Sequence, residues 1–333
     1  VMGEFDLIER YFKRPAKRAA LGVGDDCALL QPRPGTQLAI SSDMLVEGRH
    51  FLSTVDPFKL GHKALAVNLS DLAACGAQPL AFTLALAMPQ ADEAWLAPFS
   101  QGLLALADVH GCELIGGDTT RGPLNICITV FGEVPVVQGR SQALLRSGAQ
   151  AGDDLYVSGT VGDARLALEV FRGTLSVPES VFETARSRLE APTPRVALGL
   201  ALRGIATAAI DVSDGLLGDL GHVLKQSGVG ATVNTDSAIT LIAARAHCTC
   251  GTGQFGTEIL PDQWLSWALA GGDDYELLFT APPSARTLVA LAAQISQTRV
   301  TCIGQIEATP GLRLVDDQAK PLANRWHAFD HFA

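Results

Sequence analysis

Residues 207–228, "TAAIDVSDGLLGDLGHVLKQSG", hold the pattern on which the fold prediction rests. An apolar run, a short polar segment and an amphipathic segment follow one another, which predicts a strand, a turn and a helix that ends at Gly228. Asp211 and Asp214 straddle the end of this strand and the start of this helix, and Ser213 is expected to cap the helix. Since ligands of open α/β sheets gather at the carboxyl ends of strands, this turn is a candidate binding site.

Strands and helices alternate along the rest of the chain. In the first half, the predicted elements are a strand from about Leu38, a helix at 53–77, a strand at 81–88, a helix at 93–109 and a strand at 125–134. Further on, "WALAGGDDYELLFTAP" at 267–282 predicts a strand, an acidic turn and a second strand. The segment 135–152 is rich in Gly, Pro, Gln and Ser and indicates a connector. We therefore predict an α/β (α+β) fold of two domains, residues 1–138 and 139–333.

Composition and charge exclude several classes of protein. The chain has 333 residues, of which 47% are hydrophobic, and a net charge of -10, so it is globular and lacks the basic face that nucleic-acid binding requires. Its longest apolar run, "LAFTLALAM", is far shorter than the roughly 20 residues of a membrane span. Seven cysteines, an odd number, and an amino terminus without the layout of a signal peptide predict a cytoplasmic location.

Aspartates recur at the ends of apolar runs. The residues concerned are Asp25, Asp26, Asp43, Asp71, Asp118, Asp211, Asp214, Asp273 and Asp274. Gly-Asp and Ser-Asp pairs are typical of turns and caps, because Asp bonds nearby backbone N–H groups. Asp71 does not fit that explanation, since it lies inside a predicted helix on the face that carries Asn68. A carboxylate there must be paired, with Lys63 as one candidate partner, or must coordinate a cation.

The turn after residue 210 carries more carboxylates than one helix start needs. Several such groups near strand ends would repel one another without a cation, and hydroxyl and carboxylate ligands favour magnesium over zinc. Asp219, further inside the helix, is expected to be solvated. The turn "VSGTVGDA" at 157–164 is similar to one that cradles phosphate, although it lacks the G-x-x-x-x-G-K-[ST] pattern.

Eight segments in a fixed order carry a resemblance to a known family. They are "GEFDLIERYF", "GVGDDCALL", "SSDMLVEGRHF", "KALAVNLSDLAACGAQP", "IGGDTTRGP", "AIDVSDGL", "GGDDYELLFT" and "WHAFDHF". Together they resemble the thiamine-monophosphate kinase family, a branch of the PurM-like superfamily of aminoimidazole ribonucleotide synthetase. The resemblance spans nearly the whole chain.

The resemblance implies an activity and an architecture. The activity is ATP-dependent phosphorylation of thiamine monophosphate to thiamine diphosphate, with release of ADP and with several magnesium ions as cofactors. The architecture is a two-domain PurM-like fold. Its amino-terminal domain would bind ATP and magnesium, and its mixed sheet and helices would form a barrel-like interface in a homodimer. Its carboxy-terminal domain would be α/β.

The resemblance also implies roles for particular residues. The metal ligands would be Asp26, Ser41, Ser42, Asp43, Asp71, Asp118, Asp211 and Asp214. Nucleotide contacts would come from Gly117, Asp118, Arg146 and Ser213, and substrate contacts from His50, Asp273 and Trp326. Two positions depart from the family pattern, because relatives often carry Glu where Asp273 stands and Thr where Ser42 stands. No general base is expected, since the accepting phosphate monoester, with a second pKa near 6, is already largely a dianion.

Two other interpretations stay open at this point. The chain could be another ATP-dependent enzyme of the superfamily that acts on a purine intermediate or makes selenophosphate, although "KRAALGVG" before the first acidic motif lacks the reactive Cys that selenophosphate synthesis needs. It could also be a catalytically silent homologue that only binds metal or nucleotide. The intact acidic motifs speak against that interpretation.

Overall fold

The computed structural model describes residues 3–248 and 259–327. The chain divides into two compact units, one of Val1–Leu72 with Gly76–Ala143 and one of Ala73–Cys75 with Leu144–Ala333. Among the described residues, no helix is both long enough and apolar enough to span a membrane.

The amino-terminal unit contains three helices and a mixed sheet. Its helices are α1 (Glu4–Tyr11), α2 (Pro57–Ala74) and α3 (Glu93–His110), and its strands are β1 (Thr36–Val46), β2 (Gln78–Met88), β3 (Glu113–Arg121), β4 (Asn125–Val137) and β5 (Arg140–Ser141). The strand order is β1-β4-β2-β3, with β5 paired to β4. Strands β2 and β3 are parallel, whereas β1 and β2 both run antiparallel to β4. The mixed sheet predicted for this half is confirmed.

Two glycines allow the backbones of α2 and α3 to touch. A Cβ atom at Gly61 would lie 2.1 Å from the carbonyl oxygen of Phe99, and one at Gly102 would lie 1.9 Å from that of Phe58. Helix α3 begins where the Asp92 carboxylate accepts a hydrogen bond from the Ala94 N–H, and it ends at a left-handed Gly111. The close approach at Gly61 and Gly102 fixes the position of α2, the helix that carries Asp71.

The sheet of this unit has one face that its own helices leave exposed. Leu38, Ile40 and Met44 alternate along β1, and they are 43%, 60% and 52% exposed. Ile40 pairs in register with Phe131 of β4, which is half-buried. In the same strand, Leu45 points to the other side and is buried. Strand β1 therefore shows apolar side chains on both faces.

The carboxy-terminal unit is built on a seven-stranded sheet. Its helices are α4 (Asp163–Phe171), α5 (Glu179–Glu190), α6 (Val196–Ala201), α7 (Leu216–Ser227), α8 (Thr235–Ile239), α9 (Pro261–Ala270) and α10 (Arg286–Ile295). Its strands are β6 (Asp154–Ser158), β7 (Ala208–Val212), β8 (Gly230–Asn234), β9 (Glu276–Ala281), β10 (Val300–Glu307), β11 (Gly311–Val315) and β12 (Pro321–Leu322). The order is β12-β11-β8-β10-β6-β9-β7.

Strand β7 and helix α7 have the arrangement predicted from residues 207–228. Every residue of β7 is buried, and Leu216, Leu220 and Val223 of α7 belong to the same core cluster as Ile210. Helix α7 ends at a left-handed Gly228. The turn between them is thus held on two packed elements.

Two details of the sequence prediction differ from the structure. Residues 267–270 form the last turn of α9 rather than a strand, because Pro261 starts a helix whose Trp264 and Trp267 lie one turn apart and are both buried. Strand β3 is not among the predicted elements, because Gly116 and Gly117 interrupt its alternation of apolar and polar side chains. Gly117 has a φ of +150°, and a Cβ there would lie 1.8 Å from the Leu84 carbonyl oxygen.

Candidate functional site

Strand β1 and helix α2 bring together four polar residues of the amino-terminal unit. The Ser41 hydroxyl donates a hydrogen bond to the Asp71 carboxylate. The Asn68 side chain accepts from the Asp43 backbone N–H at 3.0 Å and donates to the Ala64 carbonyl at 2.9 Å. Asn68 is buried, whereas Asp43 and Asp71 are half-buried. Two carboxylates and a hydroxyl group therefore stand on neighbouring backbone segments.

Ser42 lies on the opposite side of β1 from Ser41. Its hydroxyl donates to the Ile128 carbonyl at 3.2 Å and lies 3.0 Å from the Thr129 hydroxyl. The structure thus brings Ser41, Asp43 and Asp71 together but directs the Ser42 side chain toward β4.

Three other residues predicted to bind metal or nucleotide in this unit are exposed. Asp26 lies in the loop before β1, where its backbone N–H donates to the Asp25 carboxylate at 2.9 Å. Gly117 and Asp118 lie on β3, and Asp118 pairs in register with Ala85.

His50 is fixed by the backbone of its own loop. Its Nδ1 atom accepts a hydrogen bond from the Val46 N–H at 2.9 Å, so the proton of the neutral ring lies on Nε2. Lys63, which is buried, donates to the His50 carbonyl at 3.5 Å. This loop borders a cavity of about 400 Å³ whose wall includes Glu47, Phe51 and Trp95. Aromatic and carboxylate groups of this kind suit a cationic ring.

The donor set of the amino-terminal unit fits magnesium. Among residues 3–248 and 259–327, no three His, Cys, Asp or Glu side chains form a group that could hold a metal ion by themselves. Magnesium is commonly held by one or two carboxylates together with the phosphates of a substrate, rather than by a cage of protein ligands alone. The oxygen donors of Ser41, Asp43 and Asp71 match that mode of binding.

In the carboxy-terminal unit, Asp211 and Asp214 flank a turn that is held by a third aspartate. The Oδ2 atom of Asp219 accepts hydrogen bonds from the backbone N–H groups of Ser213 and Asp214, both at 3.0 Å. Asp219 is 3% exposed and Asp211 is 6% exposed. Burial, with the nearby Asp214 charge as a smaller contribution, raises the pKa of Asp219 to about 7.

Two expectations about this turn are wrong. Ser213 is not the cap of α7, because the helix begins after Gly215, whose φ is 121°. Asp219 is not solvated, because it lies on the buried face of α7 and its carboxylate bonds the turn. Its spacing from Leu216, Leu220 and Val223 places it on the apolar face of the helix, so the periodicity contained this signal.

The segment that carries Asp273 is bonded to the same turn. The N–H of Asp273 donates to the Ser213 carbonyl and that of Tyr275 to the Val212 carbonyl, both at 2.8 Å. Gly272, Asp273 and Tyr275 have φ values of +74°, +61° and +52°. Left-handed conformations are uncommon for residues other than Gly, above all for a bulky one such as Tyr, and these bonds help to hold the segment in this shape.

The glycine turn at 159–162 is similar to a phosphate-cradling turn, but it does not offer its N–H groups to a phosphate in this structure. Its N–H groups are occupied by the chain itself: that of Thr160 donates to the Glu276 carboxylate at 3.2 Å, and that of Gly162 to the Asp274 carboxylate at 2.8 Å. The N–H of Gly159 donates to the Arg299 carbonyl and that of Val161 to the Leu241 carbonyl. The turn therefore binds anionic groups, but these are the buried carboxylates of Glu276 and Asp274.

Those two carboxylates belong to a buried charged cluster. Glu276 is fully buried and accepts hydrogen bonds from Arg195 at 2.7 Å and from Arg188 at 2.8 Å. Asp274 is 1% exposed, and burial raises its pKa well above the usual range of a carboxyl group. Asp163, at the start of α4, also has a raised pKa because of burial. This cluster supports the start of β9, into which the Asp273 segment leads.

Arg146 and Trp326 are the remaining predicted residues. Arg146 is exposed, and its carbonyl accepts a hydrogen bond from the Ser227 hydroxyl at 3.0 Å. Trp326 packs against the sheet core of its unit, and the Arg325 guanidinium lies 5.3 Å from the centre of its ring. The rest of the carboxy-terminal motif, residues 328–332, lies outside the described residues.

Comparison with known proteins identifies the family. The model of "AIR synthase related protein, N-terminal domain" matches residues 24–134, and that of "AIR synthase related protein, C-terminal domain" matches residues 150–317. The thiamine-monophosphate kinase of Salmonella typhimurium is 47% identical over 336 residues, which cover 99% of this chain and 98% of that protein. The chain belongs to the thiamine-monophosphate kinase family. The family and the PurM-like fold expected from the sequence are confirmed.

Solved structures of thiamine-monophosphate kinases match in the same way. The crystal structure of the Stenotrophomonas maltophilia enzyme has a TM-score of 0.80 and 45% identity, over 92% of each chain. A structure described as AaThiL complexed with AMPPCP and TMP has a TM-score of 0.72 and 26% identity, over 91% of this chain and 89% of that chain.

Proposed function

We propose that this chain phosphorylates thiamine monophosphate with ATP, giving thiamine diphosphate and ADP. The observation that carries the proposal is the 47% identity to a thiamine-monophosphate kinase across 99% of the chain. A relative of the same fold binds AMPPCP, an ATP analogue, together with TMP, which supports the two substrates. The acidic motifs of both units are intact, which favours an enzyme over a silent homologue.

The reaction is a direct in-line transfer. A phosphate oxygen of thiamine monophosphate attacks the γ-phosphorus of ATP, a new P–O bond forms, and the bond from the γ-phosphorus to the bridging oxygen breaks with release of ADP. Because the accepting phosphate is already largely a dianion, no side chain needs to remove a proton. Bound magnesium ions neutralise charge on the phosphates when they are present. The protein itself positions the two polyanionic substrates, ATP and thiamine monophosphate, for this attack.

Each unit supplies oxygen ligands for magnesium. In the amino-terminal unit, the proposed ligands are Asp26, Ser41, Ser42, Asp43, Asp71 and Asp118. In the carboxy-terminal unit, they are Asp211 and Asp214. The Ser41–Asp71 hydrogen bond and the position of Asp43 beside Asn68 support the first group. The shared turn held by Asp219 supports the second. Since the Ser42 hydroxyl bonds toward β4, Ser42 would need a different rotamer or its backbone oxygen to contribute.

Nucleotide and substrate contacts are assigned to the remaining predicted residues. We assign nucleotide contacts to Gly117, Asp118, Arg146 and Ser213. We assign thiamine monophosphate contacts to His50, Asp273 and Trp326. The fixed Nδ1 acceptor role of His50 leaves an Nε2 proton suited to a phosphate oxygen, and Trp326 offers an aromatic surface to a cationic ring.

We assign a separate function to each of the two predicted domains. Residues 1–138 bind ATP and magnesium and form a homodimer with a barrel-like interface, and residues 139–333 form the α/β domain. The exposed apolar side chains of Leu38, Ile40 and Met44 support dimerisation, because an apolar patch of this kind on a sheet marks an interaction surface. None of the six cysteines among the described residues is paired in a disulfide bond, which supports a cytoplasmic location.

A substrate comparison tests the function. The purified protein is incubated with ATP and magnesium and with thiamine monophosphate, thiamine or a purine-pathway aminoimidazole substrate, and ADP and thiamine diphosphate are both measured. We expect ADP and thiamine diphosphate in equal amounts with thiamine monophosphate alone. Absence of turnover with thiamine monophosphate contradicts the proposal, and turnover with an aminoimidazole substrate instead favours another PurM-like enzyme.

A further inference from the structure

Asp219 holds two successive backbone amides with one buried carboxylate oxygen. The N–H groups of Ser213 and Asp214 both point to its Oδ2 atom at 3.0 Å. Asp219 is anchored in the first turns of α7, among Leu216, Leu217 and Leu220 of the core. A rigid helix therefore sets the position of the turn through this one side chain.

The same turn holds the neighbouring loop. The Ser213 carbonyl accepts from the Asp273 N–H, and the Val212 carbonyl accepts from the Tyr275 N–H, both at 2.8 Å. Space on this side is tight, since a Cβ at Gly272 would lie 3.0 Å from the Ser213 carbonyl oxygen. A shift of the turn must therefore move the Asp273 segment as well.

We propose that Asp219 is a positioning residue for phosphoryl transfer, which holds the Ser213–Asp214 turn, and through it the Asp273 segment, in the geometry that magnesium, nucleotide and substrate require. The inference rests on the proposed function, which assigns those roles to Ser213, Asp214 and Asp273. Asp219 itself touches no reacting atom in this account. It acts through the backbone of residues that do.

Three substitutions and one matched control test this role. Asp219→Ala removes the acceptor, Asp219→Asn keeps an acceptor oxygen without the charge, and Asp219→Glu keeps the charge but moves the oxygen by one methylene. The control is Asp153→Ala, in the same unit. Asp153 is also buried, and it accepts from the Gln150 N–H at 2.9 Å and the Thr207 hydroxyl at 2.6 Å, neither of which belongs to an assigned residue.

The first measurements need no turnover. Hydrogen exchange of the Ser213 and Asp214 amides should become faster in Asp219→Ala and stay slow in Asp219→Asn. Calorimetric titration with AMPPCP and magnesium should show an affinity about tenfold weaker in Asp219→Ala. Asp153→Ala should leave both the exchange of these amides and the affinity unchanged.

Kinetics give the second set of measurements. A misplacement of about 1 Å can reduce a rate about 100-fold, so Asp219→Ala should lower kcat by about that factor and raise the magnesium concentration needed for half the maximal rate. The KM for thiamine monophosphate should rise as well, because Asp273 moves with the turn. Asp219→Asn should recover most of the activity. A folded Asp219→Ala protein with unchanged kcat, magnesium dependence and nucleotide affinity overturns the inference.

The outcome is decisive even where a variant fails to fold or the proposed function fails. If Asp219→Ala does not fold, the order of the other two decides, since a positioning role requires Asp219→Asn to be more active than Asp219→Glu, and the reverse order overturns it. If the wild-type protein never phosphorylates thiamine monophosphate, the proposed function is wrong, while amide exchange and the affinity for magnesium and AMPPCP still test Asp219.

Discussion

The hydroxyl group of Ser41 donates a hydrogen bond to the carboxylate of Asp71 and so joins strand β1 to helix α2. Asp71 lies within the last turns of an 18-residue helix whose preceding residues, from Lys63 to Ser70, are buried. A carboxylate in such a place reduces stability unless it has partners, and helix capping does not explain it. This contact joins two of the proposed magnesium ligands, one on β1 and one on α2.

Asp71→Asn should abolish most magnesium-dependent turnover without unfolding the protein. The amide keeps the shape and can still accept from Ser41, but it lacks the charge that a magnesium ligand needs. We expect kcat with saturating ATP and thiamine monophosphate to fall by about 100-fold or more. Circular dichroism and thermal melting check the fold. Asp108→Asn, which breaks an exposed pair with Arg14 in the same unit, serves as control and should keep full activity. Loss of folding in Asp71→Asn would favour a structural ion pair.

Ile40→Lys should dissociate the proposed homodimer. Ile40 is 60% exposed on the apolar face of β1, and a lysine there would have to lose its water shell in an interface. We expect the dimer dissociation constant to rise by about 100-fold or more in sedimentation experiments, which corresponds to roughly 2.7 kcal/mol. Ile295→Lys is the matched control, because Ile295 on α10 is 67% exposed but lies in the other unit. Sedimentation of Ile40→Lys as a wild-type dimer would place the interface elsewhere.

Apolar periodicity identified most of the fold. The run through β7, the turn and α7 was predicted because its strand is wholly apolar except for Asp211 and its helix ends at a glycine. Strand β3 is not predicted by this pattern, because Gly116 and Gly117 have no side chains and so interrupt the alternation of apolar and polar residues. The four apolar residues at 267–270 fit a strand as well as a helix, and only the packing of Trp264 beside Trp267 decides between the two.

The site was predicted less completely than the fold. The prediction that Asp71 lies inside a helix rather than at its cap is confirmed. The sequence alone does not decide the role of the 157–164 turn, since no local pattern shows that Glu276 and Asp274, more than 110 residues later, occupy its N–H groups. Partners so distant in sequence are set by the sheet pairing of β6 with β9. Only the three-dimensional structure shows that Glu276 and Asp274 contact this turn.

Two glycine substitutions should change stability in opposite directions. Gly61→Ala places a methyl group 2.1 Å from the Phe99 carbonyl oxygen, so α2 and α3 must move apart, and we expect a loss of about 3 kcal/mol in the free energy of unfolding. Gly221→Ala, on the exposed side of α7 with no atom within 4 Å, should gain about 0.5–1 kcal/mol. Urea unfolding measures both. Equal effects of the two substitutions would contradict the backbone contact between α2 and α3.

The pair of Asp154 and Arg286 should make stability depend on acid pH. Arg286 donates to Asp154 at 2.7 and 2.9 Å, and these hydrogen bonds hold the pKa of the Asp154 carboxyl below its usual 3.8. A lowered pKa in the folded state stabilises the protein above the unfolded-state value, and this contribution disappears as pH falls through the folded-state value. Asp154→Asn should therefore lower Tm at pH 7 by roughly 2–4 °C, with screening by water around the exposed Arg286 limiting the effect. Melting curves between pH 7 and pH 2 should show the difference from wild type shrinking only below about pH 4. A difference that stays constant to pH 2 would show that the charge of Asp154 contributes nothing.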